Sequence, residues 1–488
     1  MKAITIGANQ FYKGGYRLDA SYHASEGVAA AQLINQWLNR LNVKAARTAV
    51  YFREPSPTYN GRRVDKLADL ARLFNGPRFA RTYITDQSRG IPFLSSSDMM
   101  QSDLRSVKLL SRALTPSKLL EAIRLHQGWA LISCSGTIGN AVFVRPDMDG
   151  MTGSQHIMRV APKAGMILAG YLYAFLSSKI GYALVTQGTY GAVVHHIEPE
   201  HIVDLPIPRL DPATEQHIHE MIEQAAALRV EANLGLATTR ADITRRLGLP
   251  TDFSARYDHA RTIGDSSLHS TALRLDAYYY IGYAGEAAYA MRQLQLPQRK
   301  LSEIAVEIFN APIFKRVYVG SDGMPYFLGY EIYECHPRPS RYLARSTKDL
   351  ERYVLHEGMI IIQDAGQRYG LLGTPIYANR TLDGKAATNN MIRIVSPDRE
   401  TAGYLFAFLD TEIGRRLIVR ESYGSSLPHI YPAWLGAIPV PWPHYAIRSE
   451  LGKRVIQAFD KRADANDLED EAQTLLAKAL DLEHQGGF

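Results

Sequence analysis

The chain has 488 residues, 55 Lys plus Arg against 49 Asp plus Glu, and two cysteines, Cys134 and Cys335. That length allows two to four domains, each with its own core, and the slight basic excess permits a polyanionic partner without demanding one. Two cysteines without ligand-like spacing exclude a disulfide framework or a thiolate zinc site. No run of about 18 apolar residues is present, and the opening MKAITIGANQFYKGGYRLD has no apolar leader core, so a soluble, cytoplasmic protein with no membrane partner is expected.

In chain order, Arg17-Leu18-Asp19-Ala20 comes first, followed by a partly helical stretch around 28–41 and a segment with Pro55 and Pro57. Asn75-Gly76-Pro77-Arg78-Phe79-Ala80-Arg81 is next, then strand-like runs at 130–133, 141–144 and 156–160, and a helix over about 169–184. Much of this returns. Arg274-Leu275-Asp276-Ala277 repeats the first motif, and Asn310-Ala311-Pro312-Ile313-Phe314-Lys315-Arg316 echoes the second. Strand-like runs follow at 359–362 and 391–395, and Ala402–Pro441 repeats Ala169–Pro208 at a spacing of 233. Matched residues include Gly170/Gly403, Tyr171/Tyr404, Gly181/Gly414, Tyr190/Tyr423, His196/His429 and Pro208/Pro441. A period above 200 residues is too long for a solenoid unit, so each copy is a domain.

Each copy is followed by a long Ala-rich charged segment. Asp211 is suited to cap the first, with Pro212 at the first helical position, and Gly248 and Pro250 mark its end. Ile218, Ala225 and Ala232 recur every seven residues, flanked by Met221 and Leu228; Leu236 and Ile243 resume after a one-residue slip near Gly235. In the second, from about Ala446 to Leu482, Leu451, Ala458, Ala465, Ala472 and Ala479 form one row, with Leu468, Leu475 and Leu482 beside it. Sustained heptads favour pairing of the two helices, about 36 residues or roughly 54 Å each. Antiparallel pairing would hold the domains at opposite ends of a rod, and a DNA turn of roughly 34 Å is within its reach.

The expected fold class is mixed α/β: two repeated α+β domains separated by two long helices forming an antiparallel coiled coil. The expected layout is a first domain at 1–210, a spacer helix at 211–248, a linker at 249–273, a second domain at 274–443 and a distal helix at 444–488.

The order Arg-Leu-Asp-Ala, Lys66-Leu67, Ile91-Pro92-Phe93-Leu94, Ser97-Asp98, Gly136-Thr137-Ile138-Gly139, Tyr171-Leu172, Tyr190-Gly191, Ile207-Pro208 and a long helix resembles a target recognition domain. Two of these with two spacer helices resemble the DNA specificity subunit of type I restriction-modification systems over essentially the whole chain. The resemblance implies a non-catalytic subunit that reads a bipartite, asymmetric site on double-stranded DNA. It implies partnership with two methyltransferase subunits, which bind S-adenosylmethionine, and with restriction or translocase subunits; no cofactor is expected in this chain. Copy two departs from the pattern, with Ala365-Gly366-Gln367-Arg368-Tyr369-Gly370 where copy one has Ser135-Gly136-Thr137-Ile138-Gly139. The Tyr51–Arg63 segment has no place in the family pattern.

No methyltransferase Pro-Pro-Tyr/Phe motif, phosphate-binding loop or nucleophile elbow is present, so catalysis is not expected. Gly136 and Gly139 suit a tight turn with positive φ. Phosphates call for Lys, Arg, Ser, Thr or Tyr, and base edges for bidentate Arg, Asn or Gln on loops. Copy one offers Arg78, Arg81, Tyr83, Gln87 and Arg89, then Gln187, Thr189, Tyr190 and His195. Copy two offers Lys315, Arg316, Arg338, Arg341 and Arg345, then Gln363, Gln367 and Arg368, then Ser422 and Tyr423. Residues shared by both copies suit fold-keeping or phosphate contact; differing ones, such as Gln187 against Arg420 or His195 against Pro428, suit readout of different half-sites. A scaffold that binds proteins without reading DNA is the alternative.

Overall fold

The computed structural model describes residues 30–31, 33–34, 58–59, 62–187, 196–250, 274, 277–280, 282–368, 370–424 and 426–480. The Arg17-Leu18-Asp19 motif, most of the 28–41 stretch, positions 251–273 of the linker and Leu482 lie outside them. The chain divides into two compact units, Met1–Val230 with Asp464–Phe488, and Glu231–Ala463. No helix among the described residues is long and apolar enough to cross a membrane.

The first unit is built on strands β1 (Arg62–Lys66), β2 (Ala71–Asn75), β3 (Gly90–Leu94), β4 (Lys108–Ser111), β5 (Ala130–Ser133), β6 (Ala141–Phe143), β7 (Thr152–Gly153), β8 (Ile157–Pro162) and β9 (Pro206–Arg209). The main sheet has the order β2-β8-β5-β6, with all neighbours antiparallel. A second sheet includes β4-β3-β7, in which β3 and β7 are parallel, and β1 pairs with β9. Helices α1 (Ala169–Ser177) and α2 (Lys179–Gln187) add Tyr171, Leu172, Phe175 and Leu184 to the core beside Ile132, Phe143, Met158 and Val160.

The second unit repeats this design with β10 (Gln298–Lys300), β11 (Glu307–Asn310), β12 (Met324–Phe327), β13 (Arg341–Leu343), β14 (Ile360–Gln363), β15 (Pro375–Tyr377), β16 (Ala386–Ala387), β17 (Met391–Val395) and β18 (Pro439–Pro441). The orders β11-β17-β14-β15, β13-β12-β16 with a parallel β12–β16 pair, and β10-β18 are those of the first unit. Helices α3 (Arg399–Leu409) and α4 (Glu412–Arg420) take the places of α1 and α2.

Several of the matched residues now have reasons. Tyr171 and Tyr404, both fully buried, donate their hydroxyls to the carbonyls of Pro208 and Pro441, pinning helix to strand. A Cβ on Gly170 would lie 2.7 Å from the carbonyl oxygen of His219, and one on Gly403 2.4 Å from that of Gly452. In each unit, therefore, a domain helix meets a long helix at backbone contact distance. Gly136 and Gly139 have φ of +77° and +87°, as expected for a tight turn; Gly366 in copy two has φ +147°, a different turn.

One duplicated feature is invisible to hydropathy. Arg159 on β8 and Arg393 on β17 are fully buried. The Arg159 guanidinium donates to the carbonyls of Ile123, Gly153, Ser154 and Ile157. That of Arg393 donates to the carbonyls of Tyr353, Ala387, Thr388 and Met391. Each ties the main sheet to the segments leading into the second sheet through buried backbone carbonyls. Burial lowers both guanidinium pKa values to about 10.

The long helices span Pro212–Arg246 and Tyr445–Ala479. Asp211 Oδ1 accepts from the Thr214 backbone N–H at 3.0 Å, the expected cap. Buried positions on the first run Ile218, Ile222, Ala225, Arg229, Ala232, Leu236, Thr239 and Ile243, an unbroken 4–3 alternation. The slip near Gly235 is therefore corrected: Leu236 and Ile243 belong to the row of Ile222 and Arg229, not to a shifted seam. On the second helix the row beside Leu451, Ala458, Ala465 and Ala472 contains buried Val455, Glu469 and Leu476, rather than Leu468 and Leu475, which are partly buried. Within the second unit, Lys461–Glu231, Arg454–Asp242 and Arg246–Glu450 ion pairs rise along one helix as they descend the other. These segments run antiparallel. In the first unit Arg229 donates to Glu469 and to Asn466, the latter at 2.9 Å, forming a polar layer in the seam.

Candidate nucleic-acid interface

The loop after β2 and the loop after β11 each carry an Arg six residues beyond the matched Asn75 and Asn310. Arg81 donates to Gln155 Oε1, and its guanidinium lies 4.9 Å from the Phe93 ring and 5.7 Å from the Phe79 ring. Arg316 donates to Asn389 Oδ1 at 2.9 Å and to the Tyr326 hydroxyl at 3.0 Å, with the Phe314 ring 5.6 Å away. Both loops therefore fold back on an aromatic of the second sheet, Phe93 through its ring face and Tyr326 through its hydroxyl, while each cation also lies near a Phe of its own loop and is held by a side-chain amide. Gln155 Nε2 lies 2.9 Å from His156 Nε2, and Asn389 Nδ2 lies 2.9 Å from Asn390 Oδ1.

Beneath each cluster is a carboxylate. Asn75 donates to Glu198 Oε2 at 2.7 Å, and Asn310 to Asp364 Oδ2 at 2.6 Å. Burial pushes the Asp364 carboxyl up to about 6, against the lowering effect of Asn310 and His429. His156 is lowered, first by burial, then by His196, Arg81 and Arg78, so its imidazole is neutral at neutral pH. The His156 and His196 rings are 6.3 Å apart. A neutral imidazole can donate at one nitrogen and accept at the other, which suits hydrogen bonding to a base edge.

Farther along the same face, exposed Tyr83 and Tyr318 sit at corresponding edge positions, opposite Leu110 and Leu343. Lys108 Nζ lies 5.1 Å from the centre of the Tyr83 ring, and the Arg341 guanidinium 4.8 Å from that of Tyr318. Arg78 and Lys315 are exposed on the same loops. Arg78, Arg81 and Tyr83 in copy one, and Lys315, Arg316 and Arg341 in copy two, thus belong to two corresponding basic, aromatic patches.

The other expected residues separate from these patches. Gln87 and Arg89 lie in an exposed turn organised by Asp86, which accepts from Ser88 and stands 3.5 Å from Arg89. Gln187 ends α2. Arg338 is exposed beside His336. Arg345 is tied to the carbonyl of Asp322 at 3.0 Å, in the turn that precedes β12. Gln363 is half-buried and donates to the carbonyl of Ala365. Gln367 is exposed, whereas Arg368 lies over the Tyr278 ring at 4.2 Å and donates to Ser422 Oγ. Ser422 is corrected: it is fully buried, its hydroxyl engaged by Arg368, and it has no surface with which to meet a ligand. Tyr423 stacks on Tyr431 with centroids 4.5 Å apart. Thr189, Tyr190 and His195 lie outside the described residues.

The sequence reading missed Gln155, His156, Asn389 and Asn390. Their spacing of 234 continues the repeat, a signal that was present, but they flank strands rather than basic loops. Among the described residues no group of three or more His, Cys, Asp or Glu is placed to hold a metal ion.

No protein-family model matches the chain, and no curated protein does. Solved structures do. The S subunit of a type I restriction-modification system from M. genitalium is 16% identical, over 87% of this chain and 96% of that one, with a TM-score of 0.30. A type I R-M system structure concerned with complex assembly and conformational transition is 15% identical over 87% and 99%, with a TM-score of 0.26. The HsdS subunit from Thermoanaerobacter tengcongensis is 14% identical over 89% and 99%, with a TM-score of 0.26. The chain is thus similar to the specificity subunits of type I restriction-modification systems.

Proposed function

We propose that this chain is a non-catalytic DNA specificity subunit. Each unit contains a target recognition domain that reads one half of a bipartite, asymmetric duplex site. The observation that carries this reading is internal: one sheet topology occurs twice, with the same Arg-on-aromatic patch in the same place. A surface kept through duplication while its surroundings diverge is what two related half-site readers need. Cationic and tyrosine side chains supply phosphate contacts, and the amides supply base-edge contacts.

The two long helices are proposed to form an antiparallel coiled-coil spacer, each 35 residues or roughly 52 Å long. They would set the gap between half-sites and dock two methyltransferase subunits, whose S-adenosylmethionine donates the methyl group; restriction or translocase subunits would join these in the cytoplasm. A titration of the full chain against duplex DNA at increasing salt tests DNA binding, since counterion release predicts a steep loss of affinity. Co-expression with a candidate partner methyltransferase from the same genome, followed by mapping of modified bases, tests the rest. Salt-insensitive association, or modification without a split motif, would overturn the proposal.

A further inference from the structure

The duplicated patch has a constant part and a variable part. The constant part is the arginine, Arg81 or Arg316, placed six residues after a matched asparagine and braced by Phe79 or Phe314. The variable part is what that arginine holds: Gln155 with His156 in one unit, Asn389 with Asn390 in the other. In both, the arginine takes the amide oxygen. That settles which way the amide faces, because its NH2 is then turned toward the following residue, 2.9 Å away in each case. Side chains that must read a base edge lose affinity if they are free to rotate, so a fixed amide is a prepared reader. Asn and Gln are also the side chains that match the donor–acceptor edge of adenine.

We infer that Gln155–His156 and Asn389–Asn390 are specificity-determining pairs, one for each half-site, and that Arg81 and Arg316 are positioning residues. This rests on the DNA-reading function proposed above. The difference between the pairs has chemical consequences. An imidazole beside a long amide and two short amides present different reach and different donor patterns, so the half-sites they select differ. The constant arginines cannot by themselves distinguish the half-sites.

The test is selection of bound sequences from a randomised duplex library by the full-length chain. Wild type is expected to return a split sequence. Replacing Gln155→Asn with His156→Asn, which gives unit one the pair of unit two, is expected to change base preference at one or two neighbouring positions of one half-site, by roughly tenfold or more. The other half-site stays as it was. Asn390→Ala is the independent variant and affects the opposite half-site alone. Arg81→Lys keeps the charge but loses the planar fork. It is expected to broaden preference at the positions that Gln155 and His156 read, without lowering the melting temperature, a pattern that a merely structural role would not produce. If wild type selects a split sequence and these variants select the same one, the assignment of the pairs is wrong while the DNA-reading function stands. If wild type selects no split sequence, the function itself fails and the assignment falls with it.

Discussion

Arg159→Met offers the most direct test of how each of the two units is held together. The side chain is fully buried, and its guanidinium donates to four carbonyls, those of Ile123, Gly153, Ser154 and Ile157. Methionine refills most of the stem volume but provides no donor. Hydrogen bonds to a charged group are worth about 1.5–3 kcal/mol each, so four would amount to about 6–12 kcal/mol. Against this, the folded state already bears the cost of burying the charge, seen in the lowering of its pKa from 12.5 to about 10, or about 3 kcal/mol. Some of the carbonyls also have a second donor, as when Ser154 O accepts from the Ile157 N–H. Subtracting that cost leaves about 3–9 kcal/mol, and the second donors place the net loss toward the lower end of that range, still a large part of a domain's stability. Urea unfolding followed by hydrogen exchange with mass spectrometry would resolve the effect by segment. Protection should fall in 153–162 and adjoining strands of the first unit, while 391–395 keeps its wild-type exchange; Arg393→Met should do the reverse. A shift below about 1 kcal/mol would refute the view that these arginines bind the two sheets together.

Three further outcomes are expected. Ala465→Glu with Ala472→Glu places two carboxylates at fully buried positions of the seam, and should weaken partner assembly or alter site spacing; unchanged assembly and spacing would count against the spacer role. Asp364→Asn removes a carboxyl that ionises near 3.8 unfolded and about 6 folded. A raised folded pKa favours folding below the unfolded value and loses that contribution as pH climbs through about 6, so the variant should gain on wild type between about pH 4 and 6, by up to about 3 kcal/mol, and hold that gain above. Urea midpoints that track wild type across this window would contradict it. Gly403→Ala brings a methyl group to 2.4 Å from the Gly452 carbonyl oxygen and must push α3 off the long helix; thermal melts should show a loss of about 1–3 kcal/mol, and an unchanged melt would mean that the helices separate freely.

The duplication, the mixed α/β class and the long helices were all legible in the order of residues, because each is a repeat or a period and depends on near neighbours along the chain. Asp211 as a cap and Gly136 and Gly139 as turn residues were legible for the same reason, since a hydrogen bond or a φ angle is a local demand. Three things required the tertiary structure. Arg159 and Arg393 look like surface charges in strands until distant segments bring carbonyls to them. The second heptad row was misread because apolar content alone favoured Leu468 and Leu475, whereas packing buries Glu469, which has Arg229 and the Tyr173 hydroxyl to receive it. The two basic, aromatic patches depend on Arg81 meeting Gln155 and Arg316 meeting Asn389 across more than seventy residues of chain, and Ser422 lost its expected place among the surface residues because Arg368 holds it inside. Periodicity reports which face of an element is apolar; it carries no information about which polar groups two remote loops will bring within hydrogen-bonding distance, and that is set by how the sheets close.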